Sequence, residues 1–265
     1  MKREIVTIIG AGLLLCYGLP GFGQSSKAAQ KKDSKMQTMT WTTKSPQAKE
    51  LATNGSKHLM NVEREQAFND LSAAVKLDPD FTVALVFLSN LTRGEARKAY
   101  AARAIKSSMN KTEGEKLFAS LTDEKMTQEM NRDTWAKLHT MFPDGEMIGH
   151  YYVVTRATPE ERFNAAENYI KQFPAVPSMY NTIAYYYMND KKDNAMAKQH
   201  FDKYMSMYPD GTNPYDSMAE FYLNTGDNAN SEKYYRMALE KYPFYTSAIE
   251  ALQKINDAKP KTEVK

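Results

Sequence analysis

The sequence predicts an all-α chain, an α-solenoid of stacked antiparallel helix pairs that ends in a capping helix. Three observations carry this reading. Prolines that follow apolar helical runs stand at Pro79, Pro143, Pro174, Pro209 and Pro243, at intervals of 64, 31, 35 and 34 residues. The first interval is a double one, as if a proline near position 111 had been lost, so the chain is ruled in units of about 34 residues. Ahead of each proline runs one spacing: Ala67, Leu71, Ala74, Pro79; then Ala197, Phe201, Tyr204, Pro209; then Ser231, Tyr235, Ala238, Pro243. Steps of four and three keep side chains on one face of a helix, and proline sits where that helix has already ended. The first half of each unit carries a second stripe: Tyr180, Ile183, Ala184, Tyr187, and Tyr215, Met218, Ala219, Tyr222. The small residue of that stripe, matched by Gly55 and Gly149 in earlier units, marks where two helices approach closely.

In chain order, residues 1–23 read as an export signal. Lys2 and Arg3 precede an apolar run from Ile5 to Leu19, and Gly21-Phe22-Gly23 supplies the small-x-small pattern before a cut at Gln24. The run is too short for a spanning helix and Pro20 ends it, so no membrane insertion is expected after cleavage. Cys16, the only cysteine, lies inside the signal, which excludes disulfides, thiolate metal sites and a cysteine nucleophile from the exported chain. Residues 24–44 are rich in Lys, Ser, Gln and Thr and read as a flexible linker, in which Trp41 is expected to dock on the first helix.

Residues 45–256 form the solenoid, about six helix pairs plus the cap. Ser45-Pro46 and Thr158-Pro159-Glu160-Glu161 are helix starts, as is the capping box Thr112-Glu113-Gly114-Glu115. Tyr208-Pro209-Asp210-Gly211 stops one helix, and Asn213-Pro214 starts the next, with Asn213 placed as its cap. Between Phe81 and Pro143 the pattern is weak; Trp135, Leu138 and Pro143 alone keep the second-helix spacing. Residues Thr246 to Asp257 place Ala248, Ile249, Leu252 and Ile255 on one side, as a terminal cap requires. Residues 257–265 are read as a disordered tail.

No reaction is legible. The four histidines, His58, His139, His150 and His200, include no i, i+4 pair, and no glycine-rich phosphate loop or GxSxG occurs. Carboxylate pairs such as Glu160/Glu161 lie at helix starts, where the helix dipole accounts for them. No catalytic residue, metal site or cofactor is therefore expected. A formal charge of +3, evenly spread, gives no reason to expect nucleic acid as a partner.

The bulky residue, the apolar and small pair, the later aromatic and the small-aromatic-small-proline series together resemble the tetratricopeptide repeat (TPR) family over residues 45–256. The "TEGEKL" and "NPYDS-AE" helix starts are similar to those of exported bacterial repeat proteins. The resemblance implies a non-enzymatic interaction module of the cell envelope, periplasmic or secreted, that binds a protein or peptide segment on its concave first-helix face. Alternatives are a structural component of an envelope complex and a glycan-associated accessory protein. In this family the first helices line the inner curve, so the residues a turn aside from the packing stripe are expected there: Asn181, Tyr185 and Met188 in one unit, and Asp216, Glu220 and Leu223 in the next. A carboxylate pair beside an aromatic and a thioether suits a segment with one Lys or Arg next to an apolar anchor. Twelve of the 17 tyrosines lie between Tyr180 and Tyr245. Of these, Tyr185, Tyr186, Tyr208 and Tyr234 fall outside the packing stripes, leaving them either to fill half-buried helix surface or to form a recognition surface.

Overall fold

The computed structural model describes residues 37–257. The export signal, the linker up to residue 36 and the tail from 258 lie outside the described residues. Among those described there are thirteen α-helices and no strand. They are α1 (Pro46–Met60), α2 (Arg64–Leu77), α3 (Thr82–Leu91), α4 (Gly94–Ser108), α5 (Glu113–Ser120), α6 (Gln128–Met141), α7 (Glu146–Val154), α8 (Pro159–Gln172), α9 (Pro177–Tyr186), α10 (Asn194–Met207), α11 (Asn213–Asn224), α12 (Asn228–Lys241) and α13 (Thr246–Asp257). Each odd-numbered helix up to α11 packs on the helix that follows it, and each second helix packs on the first helix of the next pair. The result is an α-solenoid of six pairs, with α13 laid on α12.

The stripes become the contacts that hold the pairs together. Ala67, Leu71, Ala74, Ala197, Phe201, Tyr204, Ser231 and Ala238 have no exposed surface. Gly55 and Gly149 sit where helices touch: a Cβ on Gly149 would stand 2.1 Å from the Tyr169 ring, and one on Gly55 2.7 Å from Leu71. Gly114, inside the α5 capping box, is a third such position, 2.6 Å from Phe142. Unit boundaries are also stapled. The Tyr180 hydroxyl donates to the Pro174 carbonyl at 3.2 Å and, one repeat later, the Tyr215 hydroxyl donates to that of Pro209 at 2.9 Å.

The weakly patterned region forms ordinary pairs with different chemistry. In α3 every residue from Thr82 to Ser89 is buried, so a one-sided stripe is not needed. At the position of the missing proline stands Lys111, whose ammonium donates to the carbonyls of Asp80 at 2.7 Å and Thr42 at 3.1 Å. That second bond reaches the segment 37–44, which the sequence places in a linker. The segment is instead an extended strap. Thr42 gives both its amide and its hydroxyl to Glu115 at 2.8 Å, and Thr43 donates to Asp78. Gln37 gives its amide to the Asp144 carboxylate and accepts the Asp144 amide on its carbonyl. Trp41 packs against the core that Ala48 and Ala52 of α1 share, and its ring meets Phe81, just before α3, edge to face at 6.5 Å.

Six helix starts use a side chain of their own, those of α1, α5, α6, α8, α10 and α12. Ser45, Thr112, Thr158 and Asp193 accept the amide three positions on, with full capping boxes at Thr112 and Thr158. The start of α11 has no side-chain cap nearby, like those of α2, α3, α4, α7 and α9, and Asn213 is not its cap; it differs in that a distant side chain accepts its amides. The acceptor is Glu63, from the turn between α1 and α2. Its Oε1 accepts the amides of Thr212 at 2.6 Å and Asn213 at 3.2 Å, while its Oε2 accepts the Tyr208 hydroxyl at 2.8 Å and lies 2.6 Å from His58 Nδ1. Glu63 is 1% exposed. Asn213 plays a different part, since its amide nitrogen donates to the Tyr204 oxygen at 3.1 Å and its oxygen accepts from Tyr245 at 3.1 Å. Tyr204 in turn donates to Asn61 at 3.0 Å, Gln66 to Thr212 at 3.1 Å, and Thr246 to Glu65 at 2.9 Å. The first turn of the solenoid is thereby seated on its last two units. Between the anchors Asn61 and Glu63 stands Val62 with φ of +62°, a left-handed conformation that a β-branched residue adopts only when its surroundings impose it.

Replacing Glu63 by Ala strands two buried amides and a tyrosine hydroxyl, and each unsatisfied buried group costs about 1–3 kcal/mol. Glu63→Ala should therefore lower the unfolding free energy by roughly 3 kcal/mol or more in a urea titration. Glu63→Gln, which keeps one acceptor oxygen, should cost clearly less.

Candidate functional site

The seated turn walls off a cavity of about 390 Å³ against the first-helix face of the last two units. From α9 come Asn181 and Tyr185, from α11 come Asn213, Asp216 and Glu220, and from the α13 region Tyr245, Thr246 and Ser247; Val62, Arg64 and Glu65 close it from the first pair. Asn181 and Tyr185, like Asp216 and Glu220, are four residues apart, so each pair shares a helix face. The same offset in successive units puts the two pairs side by side. Tyr185 donates its hydroxyl to Glu220 Oε2 in a short hydrogen bond, and Ser247 donates to both Asp216 oxygens at 3.1 and 3.2 Å.

The cavity is rich in acceptors. Asp216 is 5% exposed, so it does not belong to a solvated helix face. Burial, then the neighbouring Glu220 charge, raise its carboxyl to about 7, against the opposing effect of the Ser247 hydrogen bond. Burial first, and the same carboxylate second, push the Tyr185 hydroxyl well above its usual value, so it stays a donor. Asn181 is 8% exposed, and its Oδ1 is buried without any hydrogen-bond partner. Exposed Arg64 also lines the space and makes no ion pair with either carboxylate among the described residues. Chemically, the arrangement can receive a donor-rich cation.

Two of the six residues expected on this face are elsewhere. Met188 is buried among Ala184, Ala197, Phe201, Met218 and Phe221, its sulfur 3.6 Å from the Asn224 amide nitrogen. The cause is local: α9 runs into a π-helical turn, Tyr187–Lys191, whose looser winding breaks the angular step that leads from Asn181 to Tyr185. Leu223 is exposed on the last turn of α11 and does not line the cavity. Conversely, Asn213, Tyr245 and Ser247 and the whole contribution of the first pair lie outside the residues that sequence spacing picks out. The four tyrosines outside the stripes are committed to internal contacts: Tyr185 to Glu220, Tyr208 to Glu63, Tyr186 stacked on Phe163 at 4.3 Å, and Tyr234 stacked on Tyr222 at 5.4 Å. No group of three or more His, Cys, Asp or Glu able to hold a metal occurs among the described residues.

A carboxyl whose folded value lies above its unfolded one binds its proton more tightly in the folded chain. This group's contribution to stability is thus fully present below about pH 4 and is lost as pH rises from there through 7. Asp216→Asn should accordingly stabilise the fold at pH 8 by on the order of a few kcal/mol, with the gain shrinking toward pH 5, as read by urea unfolding at both values.

No family model matches the chain, and no curated protein is similar to it in sequence. Solved structures with similar coordinates include PilW, titled a widely conserved type IV pilus biogenesis factor, at 12% identity and a TM-score of 0.45 over 78% of this chain and 99% of that one. The APC/C hetero-tetramer Cut9-Hcn1 matches at 13% and 0.48, over 79% of this chain and 42% of that one. A thermophilic TPR protein of Thermus thermophilus matches at 14% and 0.37, over 79% and 98%. At such scores the likeness says nothing of what this chain binds. Its own helix pairs, meeting at small residues and punctuated by proline, make the described residues an all-α solenoid of stacked antiparallel pairs, TPR-like in architecture.

Proposed function

We propose that the chain is a non-enzymatic interaction module of the cell envelope that seats a lysine or arginine side chain of a protein segment in the cavity lined by Asn181, Tyr185, Asp216 and Glu220. The observation that carries this is the unpartnered Asn181 Oδ1 beside two carboxylates, one of them buried. A buried acceptor without a donor is costly, and an ammonium or guanidinium supplies several donors at once. Met188 and Leu223 take no part in this seat. The fold supports an interaction role without fixing the partner.

A second reading, a structural component whose outer faces do the work, is favoured by one feature. Phe244 is 72% exposed and Phe68 39%, both large apolar side chains on the outside. The glycan reading loses its support, because the tyrosines that suggested it are occupied by contacts within the chain.

Asp216→Asn with Glu220→Gln removes the charge and keeps an acceptor for Ser247 and Tyr185. In crosslinked pulldown from envelope extract, followed by titration of the captured partner's basic segment, the double variant should bind at least tenfold more weakly, about 1.4 kcal/mol. Undiminished binding by this variant refutes the cavity as the seat and shifts the reading to the outer faces. Export is supported by Lys2, Arg3, the apolar run and Gly21-Phe22-Gly23, and no helix among the described residues is long and apolar enough to cross a membrane. Intact-mass measurement of the envelope-derived protein should give a chain that starts at Gln24 without added acyl mass. A species that starts at Cys16 and carries lipid contradicts this.

A further inference from the structure

A second cavity, of about 460 Å³, lies away from the acidic one, among α4, the start of α6, and the turn from α7 to α8. Four arginines line it, Arg97, Arg132, Arg156 and Arg162, and no carboxylate does. None of the four makes an ion pair with any described residue. These residues are scattered over 66 positions of sequence and three units, so the cluster is a product of folding.

Two of the guanidinium groups are fixed by the backbone. Arg156 donates from Nε to the Tyr152 carbonyl at 2.9 Å and from Nη2 to the Arg132 carbonyl at 3.1 Å, with its Cζ 4.2 Å above the Tyr152 ring. Arg162 donates from Nη1 to the Arg156 carbonyl at 3.0 Å. Carbonyl acceptors orient these groups without neutralising them, and most of each fork's five N–H groups stays unused. The first turn of α6, with Thr127 and Gln128 on the cavity wall, adds the positive end of a helix dipole. The field extends to His139, stacked on the Tyr152 ring, which burial and then the Arg156 charge push below its ordinary value.

We propose that this cavity binds a small, multiply charged oxyanion, held by Arg97, Arg132, Arg156 and Arg162. Like charges gathered without a counter-charge repel one another, and an anion among them reverses that repulsion. One carboxylate matches neither the volume nor the charge of the site. A ligand with two or more phosphoryl or carboxyl groups matches both, and the planar guanidinium fork pairs with either by two parallel hydrogen bonds. Nothing in this assignment depends on the acidic cavity or on its occupant.

Calorimetric titration of the full chain with inorganic pyrophosphate, and separately with citrate, tests it. One equivalent of at least one probe should bind per chain, and the better probe identifies the ligand as phosphoryl or polycarboxylate. Arg97→Gln with Arg132→Gln should weaken that binding at least tenfold, and Arg97→Gln alone, on an exposed helix position, by about threefold. The charge-matched pair Arg93→Gln and Lys98→Gln, which lies outside the cavity, should leave it unchanged. Absence of binding by both probes, or an equal loss in the control pair, overturns the proposal.

Discussion

One carboxylate, in the turn between the first two helices, caps a helix that begins about 150 residues later. In a stack of helix pairs each unit ordinarily touches its neighbours alone, and stability is close to a sum over adjacent interfaces. Glu63 adds a bond that no such sum contains. The amides of Thr212 and Asn213 are orphan donors by virtue of standing at a helix start, and Glu63 satisfies both with a negative charge at the positive end of the α11 dipole. The buried network of Asn61, Tyr204, Asn213 and Tyr245 completes the seat, each polar atom held by the next.

The acidic cavity exists because of that seat. On their own, the first-helix residues Asn181, Tyr185, Asp216 and Glu220 would form an open face. With Val62, Arg64 and Glu65 on one side and Tyr245, Thr246 and Ser247 on another they become a partly enclosed space, in which burial and then the Glu220 charge move the Asp216 carboxyl up to about 7. Part of that first-helix face is thus covered by the chain's own first turn. What stays open is a space of about 390 Å³, a size that suits a single side chain better than an extended segment.

Much of the architecture was legible because its determinants are local or recur at a fixed interval. Proline punctuation, capping boxes at Thr112 and Thr158, and the small residues Gly55 and Gly149 all act on the same unit or the adjacent one. What escaped acts at other ranges. The strap from Gln37 to Lys44 is polar in composition because it spends its Thr hydroxyls and amides on Glu115 and Asp78, so it reads as linker although it is docked. Asn213 reads as a cap since its type and position suit one, while its real partners are two tyrosines that only the folded stack brings to it. Met188 was misplaced by a π-helical turn with no compositional mark of its own. Four of the six site residues share one cavity because the repeat offset held; the rest of its wall comes from the start of α11, the α13 region and the turn after α1, which no spacing rule connects to them.

The seated turn has a consequence for the length of the chain. A solenoid open at both ends can gain or lose a repeat, since the added unit finds the same interface that the old one offered. Here each unit also advances the last helices relative to the first turn by a fixed rotation and rise. A chain with one pair more or fewer would carry the start of α11 away from Glu63, leaving a buried carboxylate and two bare amides where there had been a joint. The number of units is in this sense written into the molecule, and duplication, the common way for repeat arrays to grow, is closed to it unless the joint is given up first.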